Sequence, residues 1–315
     1  MHRLAVLVFD GVHSLDLSMP LQVFSAAYSS EKQRLYDVRV CGDGHDLAVT
    51  GVGGVEMYRY TARYALADAL DADTIVVIGL ASHDEPSAEA LDLLREAHRR
   101  GIRIASVSSG GARVVAASGL LDGRRTATHW SRRHVIAERY ARVQVDTKAL
   151  FVDYGDVLTS AGAASGIDMC LHMIRKDFGA AVAADVARHM VAAPQRDGGQ
   201  APYTTHPALG SLEPTMRWVR QRLAEPLTIA DIAAYAGMSP RTLRRKFQEQ
   251  TGTTPLRWLL RQRVHRAQEL LETTSLSVEV ICRHCGFGSS VAMRQHFGRY
   301  VGQSPMAYRR TFRAV

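Results

Sequence analysis

Short apolar runs alternate with helically spaced segments through the first 190 residues. LAVLVF (4–9), closed by Asp10-Gly11, predicts a buried strand. SLDLSMPLQVFSAAY follows, with Leu17, Leu21, Phe24 and Ala27 near helical spacing and Pro20 suited to a first helical turn. YDVRVCG alternates as a strand does, and DTIVVIG (73–79) is a second buried run before the helical EPSAEALDLLREAHRR. RIASVS is a third buried run, and the spacing after it predicts a helix from Gly110 to Ser118. ARVQVDTKALFVDYGDVLTS (141–160) reads as strand, turn and strand; AGAASGIDMCLHMIRKDF and GAAVAADVARHM read as two helices. Strands apolar on both faces and separated by helices predict a parallel sheet covered on both sides.

The pattern changes after a polar, Pro- and Gly-rich stretch, VAAPQRDGGQAPYTTHPALGSL (191–212), which reads as a linker. From residue 213 onward no strand pattern remains. LTIADIAAYAGMSPRTLRRKFQEQTG (227–252) and LSVEVICRHCGFGSSVAMRQHFGRYVG (276–302) share one plan: a short helix of small and aliphatic residues, a glycine, then a second helix with a serine near its start. In the first, Ile232, Ala233 and Ala236 face inward, Gly237 takes the turn, and Ser239 caps a helix anchored by Leu243 and Phe247. In the second, Ile281 and Cys282 face inward, Gly286 turns, and Met293 and Phe297 anchor the helix. Each is a helix-turn-helix pattern, whose second helix enters a DNA major groove. PLRWLLRQRVHRAQELLETT joins them as one long amphipathic helix.

Charge sharpens this division. The chain has 315 residues and a formal net charge of +8. Residues 213–315 hold 17 Lys/Arg against 7 Asp/Glu, a surplus of ten, and the remainder holds 22 against 24. A basic helical segment on a near-neutral body predicts a polyanion-binding module joined to another domain. The outward face of the first predicted reading helix carries Arg241, Thr242, Arg244 and Arg245, and that of the second carries Ser290, Val291, Arg294 and Gln295. Arginine pairs bidentately with guanine and valine fits a thymine methyl, so a G-containing half-site is expected under the first helix and a more A·T-tolerant one under the second. Arg257 and Arg261 on the joining helix are candidates for phosphate contact.

Four cysteines in this length are not a disulfide framework, and CRHC (282–285) reads as core because Cys282 fills a small inward position. The longest apolar runs fall short of a membrane span, and the N-terminal residues lack a secretory cleavage pattern, so a cytoplasmic protein without membrane association is expected. GVGGVEM (51–57) is glycine-rich without GxGxxG spacing, and such a turn needs no ligand.

The turn after RIASV is the candidate site in the first region. Strand, sharp turn and helix is where α/β proteins mount a nucleophile, and the residue there is Ser108. The C-terminal region resembles the AraC/XylS family of transcription regulators, whose closing signature is matched by GQSPMAYRRTF (302–312). The N-terminal region resembles the ThiJ/PfpI-like, class I glutamine amidotransferase-like domain through VFDGVHSLDLSMPLQVF, ASVSSGGARVVAASGLLDGRRTATHW and GAASGIDMCLHM; the combination resembles the GlxA subfamily. That resemblance implies a flavodoxin-like parallel-sheet sandwich domain (1–190), the linker, and an all-α domain with two helix-turn-helix units (213–315). It implies a DNA-binding regulator, more often an activator, acting on promoter DNA as a homodimer with RNA polymerase as a contact. The first domain is expected to bind a small, nitrogen-containing effector, with no cofactor and no metal.

Catalytic relatives carry a cysteine at the turn, and this chain has Ser108 there. A serine hydroxyl needs a well-placed base, and the spacing of Ser108, His129 and Asp16 leaves a triad open. The alternative is a serine-based amidase with a DNA-binding tail. A pocket needs no chemistry: Ser108 and Ser109 offer backbone N–H groups to an anion or carbonyl, Asp16 could bind an amine, and His129 and Trp130 could line the wall.

Overall fold

The computed structural model describes residues 1–42, 46–79, 85–192 and 212–312. Their contacts form two compact units, one of residues 1–173 and 186–192, the other of residues 174–185 and 212–312. Of the linker expected at 191–212, all but Val191, Ala192 and Leu212 lie outside the described residues.

The first unit is built on a seven-stranded sheet in the order 151–153, 157–160, 103–107, 74–78, 2–8, 36–42, 64–65. Every pairing is parallel except the edge pair Phe151–Asp153 with Val157–Ser160. Thr74–Ile78 is buried throughout and Arg103–Val107 from Ile104 onward, as their largely apolar runs require. From His2–Val8 the chain adds Tyr36–Gly42 on one side and later Thr74–Ile78 on the other. The strand order therefore reverses there, and ligand crevices of such sheets lie at the carboxyl ends beside the reversal. A separate three-stranded sheet places Val12–His13, Leu47–Thr50 and Glu56–Tyr60 side by side.

Four local expectations are corrected. The helix after the first strand spans Ser14–Ser25, so Pro20 lies inside it rather than in its first turn. A proline there cannot donate to the Asp16 carbonyl four residues back, and that carbonyl loses its helical partner. The helix after the serine turn begins at Ser108, two residues earlier than its spacing predicts, because Ser108 itself takes the turn. The stretch 141–160 holds three strands, Gln144–Asp146, Phe151–Asp153 and Val157–Ser160, of which the first pairs with Arg125–Ala127 outside the main sheet. The sheet is also not wholly parallel, since its last edge is a hairpin. The two helices expected after residue 161 are present as Ala164–His189, broken at Gly179 by φ 92° and ψ 173°.

The second unit is all helix between residues 212 and 312: Glu213–Arg220, Ile229–Tyr235, Pro240–Thr251, Pro255–Thr273, Val278–His284, Ser290–Val301 and Pro305–Phe312. Two apolar clusters hold it. One centres on Ile232, Leu243, Phe247 and Trp258, the other on Ile281, Met293, Phe297 and Tyr308. Each buried phenylalanine contributes about 2–3 kcal/mol of burial. Glu272, 7% exposed, accepts the Tyr308 hydroxyl at 2.5 Å and the backbone N–H groups of Ala180 and Ala181 at 2.7 and 2.5 Å. Those N–H groups open the helical turn after Gly179, where no intrahelical acceptor exists.

Candidate effector pocket and DNA-reading helices

Ser108 has φ +65°, a left-handed conformation costing a non-glycine residue roughly 1–2 kcal/mol. Glycines on three sides make the turn possible. A Cβ on Gly79 would meet the Gly110 carbonyl carbon at 1.6 Å, and one on Gly111 would meet the Val77 oxygen at 2.4 Å. One on Gly162 would meet the Ser108 Cβ at 2.6 Å. The helix Ser108–Ala117 thus starts pressed against the end of the strand 74–78, where only backbone fits.

This turn floors a cavity of about 610 Å³. Its described walls come from His13, Leu15 and Asp16 after the first strand, from the Thr50–Gly54 loop, and from His129, Ser131 and Arg132. Gly79, Ser108, Ser109, Gly110 and Ala163 close it from below. Asp16, Ser108, Ser109 and His129 are therefore together, as expected from the sequence. Trp130 is not among the lining residues; its indole is 37% exposed and stacks on His129 at 5.6 Å between ring centres. Sequence reasoning missed His13, Ser131, Arg132 and the 50–54 loop. The glycine-rich GVGG was the one visible signal, and it lacked a partner in the sequence to aim it at.

The Asp16 Oδ1 accepts the Ala163 backbone N–H at 3.3 Å. Burial pushes its carboxyl above the usual range, against the opposing pull of the Ala163 N–H, His13, the Ser108 hydroxyl and His129. Burial and then Arg132 push His129 below its usual value, with Asp16 opposing. The His129 Nδ1 lies 2.8 Å from the Ser131 hydroxyl and accepts the Ser131 backbone N–H at 3.4 Å. The neutral ring then carries its proton on Nε2. Asp16 hydrogen-bonds the Ser108 hydroxyl and acts on His129 through its charge, and the histidine is oriented by Ser131. These bonds differ from the relay in which an acid orients the base.

In the second unit, Thr228, Ser239, Ser277 and Ser289 each cap a helix by accepting a backbone N–H three residues on. Gly237 and Gly286 take the turns at φ 62° and 71°. Arg241, Arg244 and Arg245 are exposed on the first reading helix, and Val291, Arg294 and Gln295 on the second. Thr242 is half-buried, its hydroxyl 2.9 Å from that of Ser239, and Ser290 is half-buried at the start of its helix. Arg245 pairs with Glu249 at 2.8 Å, and Arg294 with Glu279 at 3.2 Å. Arg257 and Arg261 are exposed, and the Arg261 guanidinium lies 5.9 Å over the Tyr300 ring. All four cysteines are free and buried, and the described residues hold no cluster of metal-ligating side chains. Among the described residues no helix is long and apolar enough to cross a membrane.

An elbow of this kind on a mixed α/β sheet, with paired helix-turn-helix units in the same chain, defines the class: an AraC-type regulator with a DJ-1/PfpI-like domain. The DJ-1/PfpI family matches residues 2–176, and a helix-turn-helix domain family matches residues 232–311. The HTH-type transcriptional regulator GlxA of Rhizobium meliloti is 35% identical over 225 residues, covering 69% of this chain and 68% of GlxA. ArgR of Pseudomonas aeruginosa is 27% identical over 315 residues, covering 96% and 91%. GbdR of the same organism is 28% identical over 76% of this chain, and the match spans 66% of GbdR. An AraC family transcriptional regulator from Pseudomonas putida superposes with TM-score 0.52 at 18% identity, over 60% of this chain and all of its own. Drosophila melanogaster DJ-1beta does so with TM-score 0.51 at 20% identity, over 61% of this chain and 98% of its own. These two likenesses concern the fold alone. The chain belongs to the DJ-1/PfpI family and, within it, to the GlxA-like regulators carrying an AraC-type helix-turn-helix region.

Proposed function

We propose that this chain is a sequence-specific, promoter-binding transcription activator of the cytoplasm. It acts as a homodimer in contact with RNA polymerase, and its first unit senses a small nitrogen-containing metabolite without turning it over. The observation that carries the DNA-binding half is the twinning of the reading helices. The two present equivalent exposed faces on equivalent buried anchors, Leu243 and Phe247 in one, Met293 and Phe297 in the other. Arg241, Thr242, Arg244 and Arg245 read one groove segment, and Ser290, Val291, Arg294 and Gln295 the next. Arg257 and Arg261 hold phosphates. The sensing half rests on the cavity at the sheet's reversal point, of a size suited to a metabolite. Activation, dimerisation and the nitrogen of the effector come from the family resemblance. Footprinting of the native upstream region, with and without candidate metabolites, tests the reading. Protection at one operator that changes with a metabolite is expected; no protected sequence would overturn it.

A second reading is a serine-based hydrolase with a DNA-binding tail, favoured by the strained Ser108 elbow and its bond to Asp16. The non-catalytic reading is supported by His129 being oriented by Ser131. Labelling with a serine-directed electrophile separates the two: stoichiometric modification lost in Ser108→Ala would favour the enzyme.

A further inference from the structure

Two arginines on the reading faces end on carboxylates, and they are braced in different ways. Arg245 pairs with Glu249 one turn further along its own helix. Arg294 pairs with Glu279, which lies on the preceding helix Val278–His284, across the Gly286 turn. Glu279 follows the cap Ser277 by two residues; the same place after Thr228 in the first copy is Ala230, which has no carboxylate to offer Arg244. The Arg294 and Glu279 side chains are 53% and 57% exposed, and ion pairs this exposed contribute little to stability. The geometry around them is nevertheless fixed. The Glu279 carboxylate is held below its usual range first by its own backbone N–H, against desolvation, and then by the Ser277 hydroxyl, Arg294 and Arg283. Across the turn, the Cys282 thiol donates to the Phe287 carbonyl at 3.4 Å, and Ile281 and Met293 are fully buried. A Cβ on Gly286 would meet the Leu223 carbonyl oxygen at 2.1 Å, so the backbone there has no room to shift.

We propose that Glu279 is a positioning residue for DNA reading: it braces Arg294 across the turn, so that the guanidinium presents its remaining donors to a guanine. The proposal rests on the reading of Ser290–Val301 as a DNA-facing helix. Glu279 accepts from Nη2, which leaves Nη1 and the second Nη2 hydrogen for the O6 and N7 acceptors of the base. An arginine without a brace has many rotamers and can swing to a phosphate, a contact that carries no sequence information. The brace therefore favours the one orientation that reads a base. Its negative charge also repels the DNA backbone, which weakens binding to every sequence and leaves the guanine contact to offset that loss only at the right site.

The test uses the full chain and a duplex selected by it from random DNA. Arg294→Ala first identifies the position that Arg294 reads, as the one where preference is lost. Affinities at fixed salt for guanine and adenine at that position then give a discrimination ratio. Glu279→Gln should lower this ratio about threefold to tenfold and tighten binding to unrelated DNA about twofold to threefold. In the Arg294→Ala background, Glu279→Gln should leave the ratio unchanged, because the brace then has nothing to hold. Glu269→Gln removes the same charge from a pair with Arg266 on the joining helix, and should change the ratio by less than about twofold. An unchanged ratio in Glu279→Gln, with guanine and adenine duplexes weakened alike, would overturn the proposal and leave Glu279 a structural residue. A preference altered at some other position would also overturn it, since Glu279 would then touch a base itself. If Arg294→Ala alters preference nowhere, the DNA-facing reading of this helix fails, and the brace fails with it.

Discussion

The two helix-turn-helix copies are the same machine built twice, and the points where they differ are instructive. Their parts recur at an interval of 50 residues: Ser239 and Ser289 cap, Leu243 and Met293 anchor, Phe247 and Phe297 fill the core, Gly252 and Gly302 end the helix left-handed. The correspondence continues past the reading helices. Thr254 and Ser304 precede Pro255 and Pro305, and Trp258 and Tyr308 are buried at matching places. What changes is the outward face, where Arg241 becomes Val291 and Arg245 becomes Gln295, while Arg244 stays as Arg294. Packing positions tolerate only apolar residues of similar volume, and solvent-facing positions are free to diverge. Divergence of the exposed faces is what two readers of different DNA segments require.

The turns break the symmetry most sharply. A Cβ on Gly286 would stand 2.1 Å from the Leu223 carbonyl oxygen, whereas one on Gly237 meets nothing within 4 Å. Gly286→Ala should therefore destabilise the second unit by about 3 kcal/mol or more, since the backbone itself must move. Gly237→Ala should cost only the left-handed conformation, about 1 kcal/mol. Denaturant unfolding followed by the fluorescence of Trp218 and Trp258 measures both. Equal losses would mean the two turns are not sterically distinct.

Tyr308 is the next lever. Its hydroxyl, with acidity suppressed first by burial and then by Glu272, donates to a carboxylate that is itself buried. Tyr308→Phe keeps the ring and removes that donor, so a loss of about 2 kcal/mol is expected in the same unfolding experiment. Among the described residues the corresponding Trp258 has no partner for its indole nitrogen, so no equivalent bond is recorded there to remove. A neutral Tyr308→Phe would place the anchoring of Glu272 in the two backbone N–H groups alone.

The reading faces come third. Arg245→Ala should cost about 1–3 kcal/mol of DNA affinity if it reads a base, and should relax preference at one position of a selected site. Gln295→Ala should relax a different position, and Arg257→Ala should weaken all sequences alike while lowering the salt slope by about one. Site selection with wild type and each variant checks this; an unchanged motif throughout would remove these faces from base reading.

The smallest effect is electrostatic. The Asp231 carboxyl closes a capping box with Thr228 and is held below the usual carboxylate range by the Thr228 hydroxyl and N–H. The matching residue in the second copy is Val280, three residues after the cap Ser277, so no such box forms. A depressed folded value means the contribution is complete above the ordinary carboxylate range and drains away as pH falls through the folded one. Asp231→Asn should flatten the acid limb of stability slightly, and Val280→Asn should leave it unchanged. A pH series of unfolding midpoints distinguishes them.

The sequence read the second unit far better than the site in the first. A helix cap and its partner are three residues apart, and an anchoring pair is four apart, so a local window holds most of the information for Ser239, Leu243 and Phe247. The strands at 2–8, 74–78 and 103–107 were legible for a similar reason, since a fully buried strand is a bare apolar run. Pro20 misled because proline's preference for a first turn is only local, while the start of the helix at Ser14 is set by the short strand just before it. Trp130 shows that neighbours in sequence need not face the same way: His129 is among the cavity's lining residues and Trp130 is not.

What the sequence by itself determined is therefore the buried central strands with the helices that follow them, the doubled helix-turn-helix plan and the serine at the elbow, all consequences of spacing over a few residues. Only the tertiary structure decided that Arg132 and His13 share a cavity with Ser108, and that the unremarkable Gly79 and Gly162 are what let that serine turn. It also decided that Gly286 is locked in place while Gly237 is free. Each of these depends on segments tens of residues apart meeting at the end of a sheet or beneath a helix, and closure of such long loops leaves no periodic trace in the chain.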